Sequence, residues 1–191
     1  ILKAMAAYSG FPEESYDLVF IILDKMDKIG LDGVAEELKK EGFAEEAVDK
    51  YLSLFEKAEG AENGLVTLCD TLIEAGFLEE EVKQNLTEII DSVEATKAAD
   101  FKMVFDPTLV RGMSYYTGTI FEISMPELGA ACGGGGRYDK MVGKFTGQDV
   151  PACGFSIGFE RIILLLMESG FTVPTQRPKV AYLIEKGCPA E

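Results

Sequence analysis

All four arginines of this 191-residue chain, Arg111, Arg137, Arg161 and Arg177, fall after residue 100, together with 13 of its 20 glycines. Residues 1 to 100 hold 24 acids against 9 lysines, whereas residues 101 to 191 hold 9 acids and 9 bases, so the whole net charge of −15 belongs to the first part. An acidic, arginine-free stretch suits helices with solvated outer faces, while glycines interleaved with arginines suit tight turns and close backbone approach to an anionic ligand. Composition therefore sets a boundary near Asp100, with a different kind of structure on either side.

The first part reads as helix. In Tyr16–Met26 and again in Ala47–Phe55, apolar residues recur every three or four positions, which gives each segment one face to bury. Three similar junctions punctuate it: Gly10-Phe11-Pro12-Glu13-Glu14, Gly42-Phe43-Ala44-Glu45-Glu46 and Gly76-Phe77-Leu78-Glu79-Glu80. Glycine takes the left-handed conformation that closes a helix, phenylalanine packs back on the last turn, and the acids suit the N-terminus of the next helix. The spacings of 32 and 34 residues resemble a helical repeat. Capping chemistry alone produces the same pattern, however, and the segments between junctions do not match, so a small helical bundle is the expectation. Further turns are expected at Gly30 and Gly33 and between Gly60 and Gly64, and a long helix from about Glu79 to Ala99 leads to the boundary.

Several function classes fall away. Hydrophobic residues make up 47% of the chain, enough for a packed core. The longest apolar runs, such as Ile162–Met167, are too short to span a membrane, and no basic-then-apolar leader opens the chain, which reads as cytoplasmic. Cys69, Cys132, Cys153 and Cys188 lack C-x-x-C spacing and histidine is absent, so neither a metal site nor a disulfide framework is expected. The lack of histidine also removes Ser-His-Asp and Cys-His hydrolases. The chain starts at Ile1, and after a Pro174 to Pro178 linker the strand-like run Val180–Ile184 leads to Glu191. It reads as an internal fragment followed by a further domain.

Beyond residue 100 the segments Lys102–Phe105, Thr119–Ile123 and Cys153–Ile157 are short and β-prone between glycine and proline signals, as antiparallel strands require. Phe159–Glu168 turns helical between Gly158 and Gly170. Three stretches join glycines to an arginine: Val110–Gly118, Cys132–Asp139 and Gly154–Arg161. Arg111 offers a planar donor fork for phosphate or carboxylate. Tyr115 and Tyr116 are expected to alternate across a strand, one facing a ligand and the other packing behind it. Arg161 sits at a helix start, where free amides reinforce anion binding, whereas Arg137 beside Asp139 reads as a structural pair.

These stretches carry a resemblance. Leu109-Val110-Arg111-Gly112-Met113-Ser114-Tyr115-Tyr116-Thr117-Gly118 resembles the signature peptide of histidyl-tRNA synthetases, and Gly134-Gly135-Gly136-Arg137-Tyr138-Asp139 resembles their second histidine-pocket motif. Gly154-Phe155-Ser156-Ile157-Gly158-Phe159-Glu160-Arg161 resembles motif 3 of the class II synthetases. The resemblance covers residues 100 to 170, and the helical part fits by position, since this family carries a helical insertion between motifs 2 and 3. It implies an α+β fold: a helical insertion over 1–100, its first residues belonging to the catalytic core; the C-terminal part of the antiparallel class II catalytic sheet over 101–173; and a linker with the truncated start of an anticodon-binding domain over 174–191.

The implied activity is a two-step ligation, histidine with ATP and its magnesium as co-substrate giving histidyl-adenylate, then transfer to the tRNA for histidine. The implied roles are Arg111 at the α-phosphate and the amino-acid carboxylate, Tyr115, Tyr116 and Tyr138 around histidine, and Arg161 with Gly158 on ATP. Gly134, Gly135 and Gly154 form a close-approaching wall. No tightly bound cofactor is implied, and the full-length protein is expected to be a homodimer without membrane association. The acidic first part lacks the basic stripe that tracks a nucleic-acid backbone, so tRNA contact there falls to lysines such as Lys39 and Lys40. Ser114 stands where many members carry aspartate, and nothing in residues 1 to 100 resembles motif 1 or motif 2, so the chain alone is expected to be inactive. The alternative is the non-catalytic, synthetase-like regulatory subunit of ATP phosphoribosyltransferase. A third possibility is a helical module joined to another class II synthetase. Retention of Arg111, Tyr115, Tyr116, Tyr138 and Arg161 together favours the histidine enzyme.

Overall fold

A computed structural model describes residues 1–110, 115–172 and 174. The chain divides into two compact units, Ile1–Phe121 with Gly135–Phe155, and Glu122–Gly134 with the described residues from Ser156. This division does not follow the composition break at Asp100. Phe105 packs against the helical core and Val110 is buried in it, which ties the glycine-rich sequence after the boundary to the helices before it.

Six helices build most of the first unit: α1 (Leu2–Ser9), α2 (Tyr16–Leu23), α3 (Met26–Lys40), α4 (Glu45–Glu59), α5 (Gly64–Glu74) and α6 (Glu80–Thr96). α4 is central, packed on α1, α3 and α5, while α6 leans on α5. The periodic residues Val48, Tyr51, Leu54 and Phe55 of α4 meet Met5 of α1, Phe20 and Leu23 of α2, Val34 and Leu38 of α3, and Leu68 and Leu72 of α5 in one apolar core. Burying such side chains contributes roughly 1.5–3 kcal/mol each and sets the bundle's shape.

The three Gly-Phe junctions are helix C-caps. Gly10, Gly42 and Gly76 take φ of 94°, 91° and 78°. The following amide reaches back in each case, Phe11 to the Ala6 carbonyl at 3.1 Å, Phe43 to Leu38 at 3.3 Å and Phe77 to Leu72 at 2.9 Å. Gly30 is different, a non-helical kink inside α3 with φ 69° and ψ 179°. At the start of α5 the Asn63 side chain accepts a hydrogen bond from the Val66 amide at 3.2 Å.

Strands β1 (Ile120–Met125), β2 (Ala130–Arg137) and β3 (Cys153–Ile157) form one sheet in the order β1-β2-β3. The register is antiparallel: the Tyr138 amide donates to the Ala152 carbonyl at 2.8 Å and the Gly158 amide to Cys132 at 2.6 Å, with residue numbers rising on one strand as they fall on the other. Helices α7 (Asp139–Thr146) and α8 (Phe159–Glu168) follow β2 and β3. The expected strand at Lys102–Phe105 is absent: this stretch is irregular, Phe105 serving as a packing anchor for the bundle while Val104 stays exposed. Val180–Ile184 and Cys188 lie outside the described residues.

Candidate functional site

In the first unit Tyr115, Tyr116 and Tyr138 converge. The Tyr115 and Tyr116 ring centroids are 4.3 Å apart and tilted by 39°, and Tyr138 stands 6.3 Å from Tyr115 and 6.5 Å from Tyr116. The expectation that the first two alternate across a strand fails, because both precede β1, which opens only at Ile120. Freed from the strand's two-residue alternation, the adjacent rings turn to the same side and share Tyr138 as a neighbour. Tyr115 is exposed, whereas Tyr116 and Tyr138 are half-buried.

Glycines make this approach possible. A β-carbon on Gly154 would overlap the Tyr138 hydroxyl, and one on Gly136 would lie 2.9 Å from Tyr116 Cε1 and 2.8 Å from the Thr119 carbonyl. Gly135 is buried, and a side chain there would collide with the Gly154 carbonyl and come within 2.7 Å of Phe155 Cα. Consecutive glycines on β2 thus leave the neighbouring strand and the tyrosine rings room that any other residue would fill.

Arg137 faces elsewhere. Its Nε donates to both carboxylate oxygens of Asp139, at 3.0 and 2.8 Å, as its reading as a structural partner anticipated. Asp139 Oδ1 also accepts the Ala152 amide at 2.9 Å, and the Asp139 amide donates to Thr117 Oγ1 at 3.0 Å. The Ala152 hydrogen bond, supported by Arg137, holds the Asp139 carboxyl below the usual carboxylate range. Sequence reasoning missed Thr117 and the wider role of Asp139. The Arg137-Asp139 spacing was a visible signal for the ion pair, but nothing in the sequence marks Thr117 or Ala152.

In the second unit Gly158 is the residue before α8, and its amide is bonded to Cys132. Arg161 lies in the first turn of α8 and is exposed, with Nη1 donating to the Ala131 carbonyl. Gly134, half-buried on β2, belongs to this unit. The guanidinium is held by one fixed carbonyl beside a helix start, an arrangement suited to an anion. Arg111 and Ser114 lie outside the described residues, as does Arg177.

A family model described as histidyl-tRNA synthetase matches residues 1–162. Among curated proteins, the chain is 42% identical over 170 residues to a histidine–tRNA ligase of Leifsonia xyli subsp. xyli, covering 87% of this chain and 39% of that protein. It is 34% identical over 195 residues to one of Christiangramia forsetii, covering 96% of this chain and 41% of the relative. Among solved structures, the crystal structure of histidyl-tRNA synthetase from Nostoc sp. PCC 7120 matches with a TM-score of 0.72 at 30% identity, over 89% of this chain and 40% of that one. The chain spans about two fifths of the length of these relatives.

Proposed function

The chain belongs to the histidyl-tRNA synthetase family, and on that premise we propose that it supplies the histidine side of an ATP-dependent histidine–tRNA ligase. The observation that carries this reading is the convergence of Tyr115, Tyr116 and Tyr138 beside Gly154. Phenolic hydroxyls donate or accept as the imidazole nitrogens require, and the rings supply an apolar wall for its carbon edge.

In the first step a carboxylate oxygen of histidine attacks the α-phosphorus of ATP, the bond to the β-phosphate oxygen breaks, and pyrophosphate leaves. In the second, a terminal ribose hydroxyl of the tRNA for histidine attacks the activated carbonyl and AMP departs. Neither step needs a covalent enzyme intermediate, so alignment and fixed positive charge supply the catalysis. Arg111 is assigned to the α-phosphate and the histidine carboxylate, and Arg161 with Gly158 at the start of α8 to the nucleotide. Gly134, Gly135 and Gly154 line the approach. Magnesium accompanies ATP as part of the co-substrate. Among the described residues no group of three or more carboxylates or thiols is placed to hold a metal ion of the protein's own.

Residues 1–100 are read as the helical insertion, 101–173 as the closing part of the catalytic domain, and 174–191 as the linker into an anticodon-binding domain. A cytoplasmic homodimer completes the assignment.

Arg111 gives the test. In the protein as its gene encodes it, Arg111→Ala is expected to slow histidine-dependent pyrophosphate exchange by about 10²–10³-fold, the loss of one preorganised charge-stabilising group. Arg111→Lys is expected to recover little, lacking the planar fork. Near-normal exchange in the alanine variant would remove Arg111 from the mechanism.

A further inference from the structure

The tyrosines come from two segments of the chain, Tyr115-Tyr116 and Tyr138, and a closed set of hydrogen bonds joins those segments to each other and to the one that carries Gly154. The Thr117 amide donates to the Arg137 carbonyl at 2.8 Å, and the Thr117 hydroxyl accepts the Asp139 amide at 3.0 Å. The Tyr138 amide donates to the Ala152 carbonyl at 2.8 Å, and the Ala152 amide returns to Asp139 Oδ1 at 2.9 Å. Thr117 directly follows Tyr115 and Tyr116, Asp139 directly follows Tyr138, and Ala152 stands two residues before Gly154. Asp139 is thus the one side chain in this set that binds on two sides, to Ala152 and to Arg137, while its own amide holds Thr117.

We propose that Asp139 is the positioning residue of the tyrosine cluster, fixing the segments that present Tyr115, Tyr116, Tyr138 and Gly154 so that the rings meet one ligand in one geometry. It acts through Tyr138 and not on the reacting atoms. The inference rests on the assignment of this cluster to histidine and adds to it the device that sets its precision. A charged carboxylate suits the task because charge-assisted hydrogen bonds are shorter and roughly twice as strong as neutral ones. Its carboxyl, held low chiefly by the Ala152 amide and also by Arg137, keeps that charge through the neutral range. A recognition group held by locked supporting bonds loses its selectivity when they loosen, even with the group itself intact.

The test is a double-mutant cycle in the protein as its gene encodes it, with L-histidine affinity read by calorimetry and the thermal midpoint read separately. Asp139→Ala is expected to weaken histidine binding about tenfold or more, with ATP affinity little changed. Asp139→Asn retains an oxygen for the Ala152 amide but loses the charge and the ion pair with Arg137, and is expected to recover only part of that loss. Tyr138→Phe alone is expected to weaken histidine binding. Combined with Asp139→Ala it should add far less than its own effect, since the ring is already misplaced. Thr117→Val, at an exposed position, serves should Asp139→Ala not fold, and is expected to weaken histidine binding several-fold with little change in midpoint. Fully additive effects, or wild-type histidine affinity in Asp139→Ala or in Thr117→Val while Tyr138→Phe is impaired, would overturn the role of Asp139 alone. Unchanged affinity in Tyr138→Phe would overturn both this role and the histidine assignment.

Discussion

Tyr51 carries a hydroxyl that its surroundings do not use. Its ring lies edge-on to Phe11 at 5.3 Å and to Phe55 at 5.1 Å, and the residue is wholly buried. Among the described residues its oxygen is the one buried side-chain polar atom without a hydrogen-bond partner, and burial pushes its phenol well above the ordinary value. A buried, unpaired hydroxyl costs about 1–3 kcal/mol, whereas the ring keeps all its contacts without it. Tyr51→Phe is therefore expected to leave stability unchanged or to raise it by about 1 kcal/mol in chemical denaturation. A loss of similar size would show that the hydroxyl is satisfied. Periodicity placed Tyr51 on the buried face of α4, but gave no sign of the missing partner or of the distant Phe11 that packs on its ring. The same holds at the tyrosine cluster: Tyr115, Tyr116 and Tyr138 were legible by type and motif. Their convergence on one side was not, since it depends on where β1 begins.

At the scale of elements, the helix ends were the most readable feature because their chemistry is local. Gly10, Gly42 and Gly76 each close a helix with positive φ, and Gly170 does the same after α8, with the Phe171 amide returning to the Leu166 carbonyl at 2.9 Å. The phenylalanines then do more than the local motif requires. Phe11 meets Phe43 edge-on at 5.0 Å, so two caps pack on each other, and Phe77 meets Tyr8 at 5.7 Å. Gly42→Ala keeps these rings but forces a β-carbon into the left-handed region. It is expected to cost about 1–2 kcal/mol, seen as a lower denaturation midpoint at unchanged slope. A neutral result would mean that α3 ends another way. Strand prediction fared unevenly for a non-local reason. Cys153–Ile157 matches β3, which has β2 beside it, whereas Lys102–Phe105 has strand-like residues but, among the described residues, no strand paired with it, and its phenylalanine packs on the bundle instead.

For the whole molecule, composition marked a change of character near Asp100, yet the compact units divide at Phe121 and again within β2 and β3. Charge and glycine content report what a segment faces, water or a close backbone, and are blind to which segments share a core. Val110, within the arginine-bearing signature, is buried among helices of the first hundred residues, so sequence that composition assigned elsewhere shares their core. The functional motifs were legible because ligand chemistry restricts residue types over short spans, while the hydrogen bonds of Asp139 that join them span 13 residues to Ala152 and reach back to Thr117. The role proposed for this chain is to supply the histidine side of amino-acid activation. It is tested most directly by pyrophosphate exchange into ATP, measured in the protein as its gene encodes it, with each amino acid supplied in turn. Exchange driven by histidine, with other amino acids at background, is the expected result; exchange driven by a different amino acid, or none with any of them, would contradict it.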